Sequence, residues 1–189
     1  MINKDLLIQK MFDNQISGVL NKLPITPIEF GDYKAEVSES NNYINLYGAE
    51  NKLILEDLSV YITDFTPELL DKEFNSILVG GLGLGLIPFV VQDFCEVIDV
   101  IENNENITKI NQHIGALDSK VNIINDDIFT FQPAKMYDAI VMDIWYEPIT
   151  IEIVNTLNSI YFPFLNEGGF LYYPINATSK EELPVIINK

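Results

Sequence analysis

The chain has 189 residues, 48% of them hydrophobic, which suffices for one α/β domain with a smaller N-terminal part. Its 28 acidic and 11 basic residues give a formal net charge of −17, which disfavours direct binding to nucleic acid because phosphates are repelled. The apolar runs are too short for a transmembrane helix, and the N-terminus lacks a signal-peptide pattern. The single cysteine, Cys95, is predicted to be a small buried residue, and the lack of a second cysteine suits the cytoplasm.

Residues 1–75 are predicted to form the separate N-terminal part. In residues 5–23 the apolar side chains recur at helical spacing up to Pro24, which predicts an amphipathic helix. Alternation of apolar and polar residues then predicts a small antiparallel β unit of three short strands. These strands are predicted at residues 43–47, 52–56 and 59–63. A short helix is predicted from Pro67, with Thr66 as its N-cap.

Residues 76–189 alternate near-continuous apolar strands with helices, which predicts a parallel sheet covered on both faces. The five strands are predicted at residues 76–79, 96–101, 121–124, 137–143 and 170–173. Helices are predicted from Ile87, over 104–114 and over 151–165, and a turn at 166–169 precedes the fifth strand. The predicted fold class is therefore α/β, a doubly wound, mostly parallel, Rossmann-like sheet.

The first turn of this sheet is rich in glycine and follows its apolar strand directly. It reads Gly80-Gly81-Leu82-Gly83-Leu84-Gly85. Such glycines let the backbone approach a ligand closely, and an acidic residue that ends the next strand can bind a ribose. Glu102 ends that strand. The spacing Gly81-x-Gly83-x-Gly85 departs from the dinucleotide pattern Gly-x-Gly-x-x-Gly and favours S-adenosylmethionine, a ligand without a pyrophosphate.

Further candidate residues follow the third and fourth strands. Asp127 comes after strand three, where its carboxylate can accept from an adenine amino group or only cap a turn, and Ile128 can pack on the ring. Asp143 ends strand four, at the crevice where ligands bind in such sheets. Trp145 and Tyr146 are predicted to line a substrate site, with burial in the core as the alternative.

These residues resemble those of a known superfamily. Residues 43–173 are similar to the class I S-adenosylmethionine-dependent methyltransferases, in their spermidine-synthase-like branch. Residues 80–85, Glu102, Asp127 and Asp143 match positions that bind the cofactor or line the active site there.

The likeness to the spermidine-synthase branch rests on the segment before the core. There the family reads an apolar strand, Asp-Gly, and a strand that ends in Gln-x-Thr. In this chain Asp57 and Thr63 match, whereas Leu58 replaces the glycine and Tyr61 the glutamine.

Four further departures from the family pattern weaken the case for catalysis. Gly83 stands where spermidine synthases have an aspartate, and Val79 stands where many methyltransferases have an acid that holds the methionine amine. The catalytic signature Asp-Ser-Ser-Asp-Pro becomes a segment one residue longer, residues 143–148. The usual last strands are expected to be missing after Tyr173, so that strand five has an exposed edge. A homo-oligomer contact or the N-terminal helix is expected to cover that edge.

The resemblance implies an S-adenosylmethionine-dependent methyltransferase with Asp143 as the catalytic residue nearest the acceptor. The residues implied to bind the cofactor are Gly81, Gly83, Gly85, Glu102, Asp127 and Ile128. The acceptor is expected to be a small molecule or a protein. The acidic surface would suit a cationic acceptor, while simple solubility, which the composition favours, and DNA mimicry stay open as explanations of the charge. Two alternatives stay open: an inactive protein that keeps the fold for binding or assembly, and an aminopropyltransferase. With one histidine and one cysteine, no zinc site is expected.

Overall fold

The structure, a computed structural model, describes residues 27–37, 44–56, 74–144, 150–173 and 185–189. The predicted helices at 5–23 and from Pro67, and the predicted strand at 59–63, lie outside these residues. The chain divides into two compact units. The first comprises Met1–Glu73, Leu82–Asp93 and Asn104–Ser119, and the second comprises Phe74–Gly81, Phe94–Asn103 and Lys120–Lys189. A domain boundary between residues 75 and 76 stays a prediction.

The first unit contains a four-stranded antiparallel sheet with the order β1-β2-β3-β4. Its strands are β1 (Ile28–Phe30), β2 (Tyr33–Val37), β3 (Ile44–Tyr47) and β4 (Leu53–Glu56). The predictions for β3 and β4 are confirmed to within one residue. The hairpin of β1 and β2 is not among the predicted strands; it turns through Gly31, whose φ of 57° suits glycine.

Two helices belong to the same unit, α1 (Leu86–Val91) and α2 (Glu105–Ile114). The Asn104 side chain caps α2 by accepting from the N–H of Asn106 at 3.0 Å, and Gly115 ends the helix at a φ of 62°. Apolar residues of the sheet, of α2 and of the segment before α1 form one core cluster. Its buried members are Ile28, Ala35, Leu46, Leu84, Ile110 and Ile114.

The second unit is built on a six-stranded sheet with the order β10-β9-β8-β5-β6-β7. Its strands are β5 (Phe74–Gly80), β6 (Cys95–Ile101), β7 (Val121–Ile124), β8 (Tyr137–Met142), β9 (Leu165–Tyr173) and β10 (Val185–Asn188). The first five are mutually parallel and β10 is antiparallel, so the predicted α/β class with a mostly parallel sheet is confirmed. Cys95 is buried, as predicted.

Helix α3 (Ile151–Tyr161) packs on this sheet through Val154, Leu157 and Tyr161. The Thr150 hydroxyl caps its first turn by accepting from the N–H of Ile153 at 3.4 Å. The helix is shorter than predicted because a 3-10 turn that contains a proline, Phe162–Phe164, follows it. Among the described residues no helix is long and apolar enough to cross a membrane.

The prediction of a turn at 166–169 is wrong, because these residues belong to β9. They lie opposite Asp138 alone and form a bulge in the pairing of β8 with β9. The Asp138 carboxylate fills the bulge, accepting from the Asn166 side-chain amide at 2.6 Å and from the Asn75 N–H at 2.7 Å. The turn-like composition of residues 166–169 therefore marks a β-bulge rather than a turn.

The prediction that the sheet ends at strand five with an exposed edge is also wrong. β10 pairs with β9 over four residues and covers that edge with the chain's own backbone. The Lys189 ammonium fixes the end of β10 by donating to the carbonyl oxygens of Leu165 at 2.6 Å and Pro163 at 3.1 Å. A homo-oligomer contact at this sheet stays a prediction.

Candidate functional site

The carboxyl ends of neighbouring strands in the six-stranded sheet bring three predicted site residues into one row. The last residue of β5 is paired with the last residues of both β6 and β8. The next residues along the three strands, Glu102, Gly81 and Asp143, therefore follow one another across the sheet. Adjacent strands are about 5 Å apart, so Glu102 and Asp143 flank Gly81 at roughly that spacing on either side.

Gly81 is required at this place by the packing of the chain itself. Its φ is 90°, its N–H donates to the carbonyl oxygen of Ile101 at 2.9 Å, and a Cβ here would collide with the carbonyl oxygen of Asp143. The main chain that leaves β8 therefore occupies the space that the missing side chain of Gly81 provides. Its predicted contact with a cofactor stays a prediction.

Glu102 is the most deeply buried acid in the row, with 7% of its surface exposed. Its N–H donates to the carbonyl oxygen of Ile124 at 3.0 Å, which holds the backbone between β6 and β7. An ionised carboxylate only accepts hydrogen bonds, so the groups that suit it are donors. The two hydroxyls of a ribose are such donors.

Asp127 is exposed and caps the turn that follows β7. Its Oδ1 accepts from the N–H of Phe129 at 2.9 Å, and its carbonyl oxygen accepts from the N–H of Phe131 at 2.8 Å. The turn-capping alternative is therefore observed. Its predicted hydrogen bond to an adenine stays a prediction.

Ile128 lies in the core of the second unit, with 8% of its surface exposed. Its Cδ1 occupies the space that a Cβ on Gly80 would need, beside the sulfur of Met142. Its carbonyl oxygen accepts from the buried hydroxyl of Tyr161 at 2.6 Å. The side chain thus packs against the glycine-rich turn, and its predicted contact with adenine stays a prediction.

Asp143 is the candidate with the most perturbed acidity. The residue keeps some exposed surface, but protein atoms surround its carboxyl group. This burial raises the pKa of the carboxyl from 3.8 to about 7. A carboxyl with that pKa exchanges its proton readily near neutral pH and suits a general base. Trp145 and Tyr146, the predicted substrate-site residues, lie outside the described residues.

The other two glycines of the turn belong to the first unit, where a buried amide holds them. Gly83 and Gly85 have φ values of 51° and 75°, and the Gly85 N–H donates to the carbonyl oxygen of Leu82 at 2.7 Å. The side chain of Asn111 donates to the carbonyl oxygen of Gly83 at 2.8 Å. Asn111 is not among the predicted residues, because nothing in its helical sequence context marks it.

A surface cavity of about 230 Å³ lies on the four-stranded sheet of the first unit. Its lining is mainly polar and includes the acidic residues Glu29, Asp32 and Glu50. None of the predicted site residues lines it.

No family model and no curated protein sequence matches the chain. Among solved structures it is similar to the N-methyltransferase NodS from Bradyrhizobium japonicum WM9 in complex with S-adenosyl-L-homocysteine, with a TM-score of 0.52 and 19% identity. It is also similar to the DhpI–SAH complex, with a TM-score of 0.50 and 13% identity. The chain has the Rossmann-like methyltransferase fold. The match covers 60% of this chain and 59% of NodS, and 62% of this chain and 59% of DhpI.

The fold implied by the family resemblance is thereby confirmed, and the finer branch is not. The two solved structures named above, NodS and DhpI, do not support the spermidine-synthase-like branch. Asp57 and Thr63, on which the spermidine-synthase likeness rests, lie outside the described residues.

Proposed function

We propose that this protein is an S-adenosylmethionine-dependent methyltransferase. The proposal rests on one observation above all, the register by which Glu102 and Asp143 flank Gly81 at the carboxyl edge of a sheet of this fold. In open α/β sheets this edge is where ligands bind.

The chemistry of the described side chains fits an adenosyl ligand. Glu102 accepts hydrogen bonds from the ribose hydroxyls, and Asp127 uses its Oδ2 for the adenine amino group while Oδ1 caps the turn. The N–H groups of Gly81 and Gly85 already donate within the chain, so these two glycines offer a ligand no backbone donor, and the cofactor contacts predicted for Gly81, Gly83 and Gly85 stay predictions.

When bound, S-adenosylmethionine supplies an electrophilic methyl group on a positively charged sulfur. The protein holds the acceptor in line with that group, which converts a bimolecular reaction into an intramolecular one. The Asp143 carboxylate takes the proton that an amine or hydroxyl acceptor releases, since a pKa of about 7 leaves much of it ionised at neutral pH.

The acceptor is a small molecule or a protein that carries positive charge. The formal net charge of −17 attracts cations and repels phosphates. Trp145 and Tyr146 follow Asp143 in the sequence, and their aromatic faces suit an ammonium group. A single cysteine is consistent with a cytoplasmic enzyme.

A second candidate is a protein that keeps the methyltransferase fold for binding or assembly without catalysis. The observation that favours it is the occupation of the space beside the glycines by the chain's own atoms, Ile128 at Gly80 and Asn111 at Gly85. Val79, which stands where many methyltransferases have an acid, is fully buried. Aminopropyl transfer in the spermidine-synthase-like branch stays a prediction.

Isothermal titration with three ligands distinguishes these functions. We expect saturable binding of S-adenosylmethionine and of its demethylated product, followed by label transfer from methyl-labelled donor to a panel of amines and basic peptides. Preference for the decarboxylated analogue indicates aminopropyl transfer instead. Absence of binding by all three ligands at millimolar concentration contradicts the proposal and supports the inactive candidate. A thermal-shift assay checks the same point, because a ligand that binds the native state must also stabilise it.

A further inference from the structure

The buried side-chain amide of Asn111 contacts Gly83 and Gly85, the two glycines of the glycine-rich turn that belong to the first unit. Asn111 lies on α2 with 3% of its surface exposed, and its Nδ2 donates to the carbonyl oxygens of Gly83 at 2.8 Å and Ile107 at 3.0 Å. The bond to Ile107 joins the amide to its own helix. The bond to Gly83 joins it to the turn.

The oxygen of the same amide lies against the other end of the turn. A Cβ added to Gly85 would collide with Oδ1 of Asn111. Gly85 precedes α1 in the left-handed conformation, with a φ of 75°. A single side chain therefore contacts both Gly83 and Gly85 and leaves no room for a larger residue at position 85.

A turn of this composition needs such a contact to keep one shape. Glycine populates positive and negative φ about equally and loses more conformational freedom on folding than other residues. Gly81, Gly83 and Gly85 all have positive φ. Binding sites gain affinity when their backbone is fixed in advance, because the ordering cost is then met before the ligand arrives.

We propose that Asn111 is the positioning residue of the glycine-rich turn, which fixes the carbonyl group of Gly83 and the left-handed conformation of Gly85. Its effect on ligand affinity rests on the proposed function. Its effect on the turn itself does not.

Two variants remove the contacts of Asn111 with the turn in different ways. Asn111→Asp keeps the shape of the side chain but replaces the donating amide with a carboxylate that repels the Gly83 carbonyl. Asn111→Ser removes the amide without adding charge, and serves if the aspartate variant does not fold.

Gln92→Glu is the matched control, because Gln92 is also a buried amide of the first unit. It has 8% of its surface exposed and bridges the carbonyl oxygen of Ala116 and the N–H of Asp118, at 3.4 Å and 2.8 Å. Neither partner belongs to the glycine-rich turn. A general loss of stability would therefore affect both kinds of variant alike.

The readouts are the dissociation constant for S-adenosylmethionine by calorimetry and the amide exchange rate of Gly85 by NMR. We expect at least tenfold weaker binding in the Asn111 variants, about 1.4 kcal/mol, with little change in Gln92→Glu. We also expect faster Gly85 exchange in the Asn111 variants alone. Wild-type affinity and exchange in the Asn111 variants, or equal losses in Gln92→Glu, overturn the inference. If the wild type binds no S-adenosylmethionine, the proposed function fails, and the exchange rates alone decide the role of Asn111.

Discussion

The carbonyl oxygen of Asp143 lies against the α-carbon of Gly81, in the space that a β-carbon would need. The backbone of the predicted catalytic residue is thus seated on the glycine-rich turn. The register of β5 and β8 fixes this contact between Gly81 and the end of β8. A change at Gly81 therefore acts on Asp143 without touching its carboxyl group.

Gly81→Ala is expected to destabilise the protein far more than Gly168→Ala. Both glycines have positive φ, 90° and 75°, so both substitutions incur left-handed strain of about 1–2 kcal/mol. Only at Gly81 does the new methyl group meet backbone, since nothing lies within 4 Å of a Cβ at Gly168. We expect an additional loss of about 2 kcal/mol at Gly81. Chemical denaturation measures both, and equal losses would argue against the contact.

The packing of Ile128 on Gly80 predicts non-additive stabilities. Gly80→Ala collides with Cδ1 of Ile128, and Ile128→Val removes that atom at a cost of about 1 kcal/mol. The double variant is therefore expected to be more stable than the sum of the single losses by roughly 1 kcal/mol. A double-mutant cycle in urea tests this, and strict additivity would place the two side chains apart.

The acidity of Asp143 predicts a loss of stability as the pH rises. Its pKa is about 7 in the folded protein against an ordinary 3.8, so the folded state binds more protons than the unfolded state between these values. Stability from this group is present below about pH 4 and falls as the pH rises through 7. Asp143→Asn should therefore be more stable than the wild type at pH 8, by on the order of 1–2 kcal/mol for a half-buried group, and equal to it at pH 3.5. Parallel pH profiles of the two proteins would contradict this.

Asp99 is buried in a network with three donors and has the opposite behaviour. Its carboxylate accepts from Tyr137 at 2.7 Å and Asn122 at 3.1 Å, and forms an ion pair with Lys135 at 2.9 Å. Burial alone would raise the pKa of Asp99, but these partners together outweigh it and hold the pKa below its ordinary value. The stability it contributes is present above pH 3.8 and is lost as the pH falls through the lower folded value.

Asp99→Asn is accordingly expected to lose about 2 kcal/mol of stability at pH 7, because an amide oxygen is a weaker partner for Lys135 and its NH₂ group opposes the Asn122 donor. The difference from the wild type should shrink as the pH falls below 3.8. Thermal unfolding at pH 7 and pH 3 measures it. A loss that is independent of pH would mean that the carboxylate is not held ionised by these partners.

The parallel strands are predictable because each is a near-continuous apolar run between polar residues. The sequence predicts β7 to the residue and β5, β6 and β8 to within two residues. Glu102 and Asp143 are predictable as strand-end acids for the same reason. Their position on either side of Gly81 depends on the register of β5 with β6 and β8. The α/β topology predicts the neighbouring strands but not that register.

The remaining elements depend on contacts distant in sequence. Residues 166–169 have the composition of a turn, and it is their pairing with β8, where the Asp138 carboxylate accepts from Asn166, that makes them a bulge in β9. β10 is a four-residue strand whose identity depends on its pairing with β9. The role of Asn111 is invisible in the sequence because the partner of its amide is a carbonyl group 28 residues away.

The affinity of Glu102→Ala for S-adenosylmethionine tests the central claim, that an adenosyl ligand binds at the carboxyl edge of the sheet. Glu96→Ala is the matched control, since Glu96 lies exposed near the amino end of the same strand. Calorimetry should show at least tenfold weaker binding in Glu102→Ala, roughly 1.4 kcal/mol, and wild-type affinity in Glu96→Ala. Wild-type affinity in both variants would contradict the account.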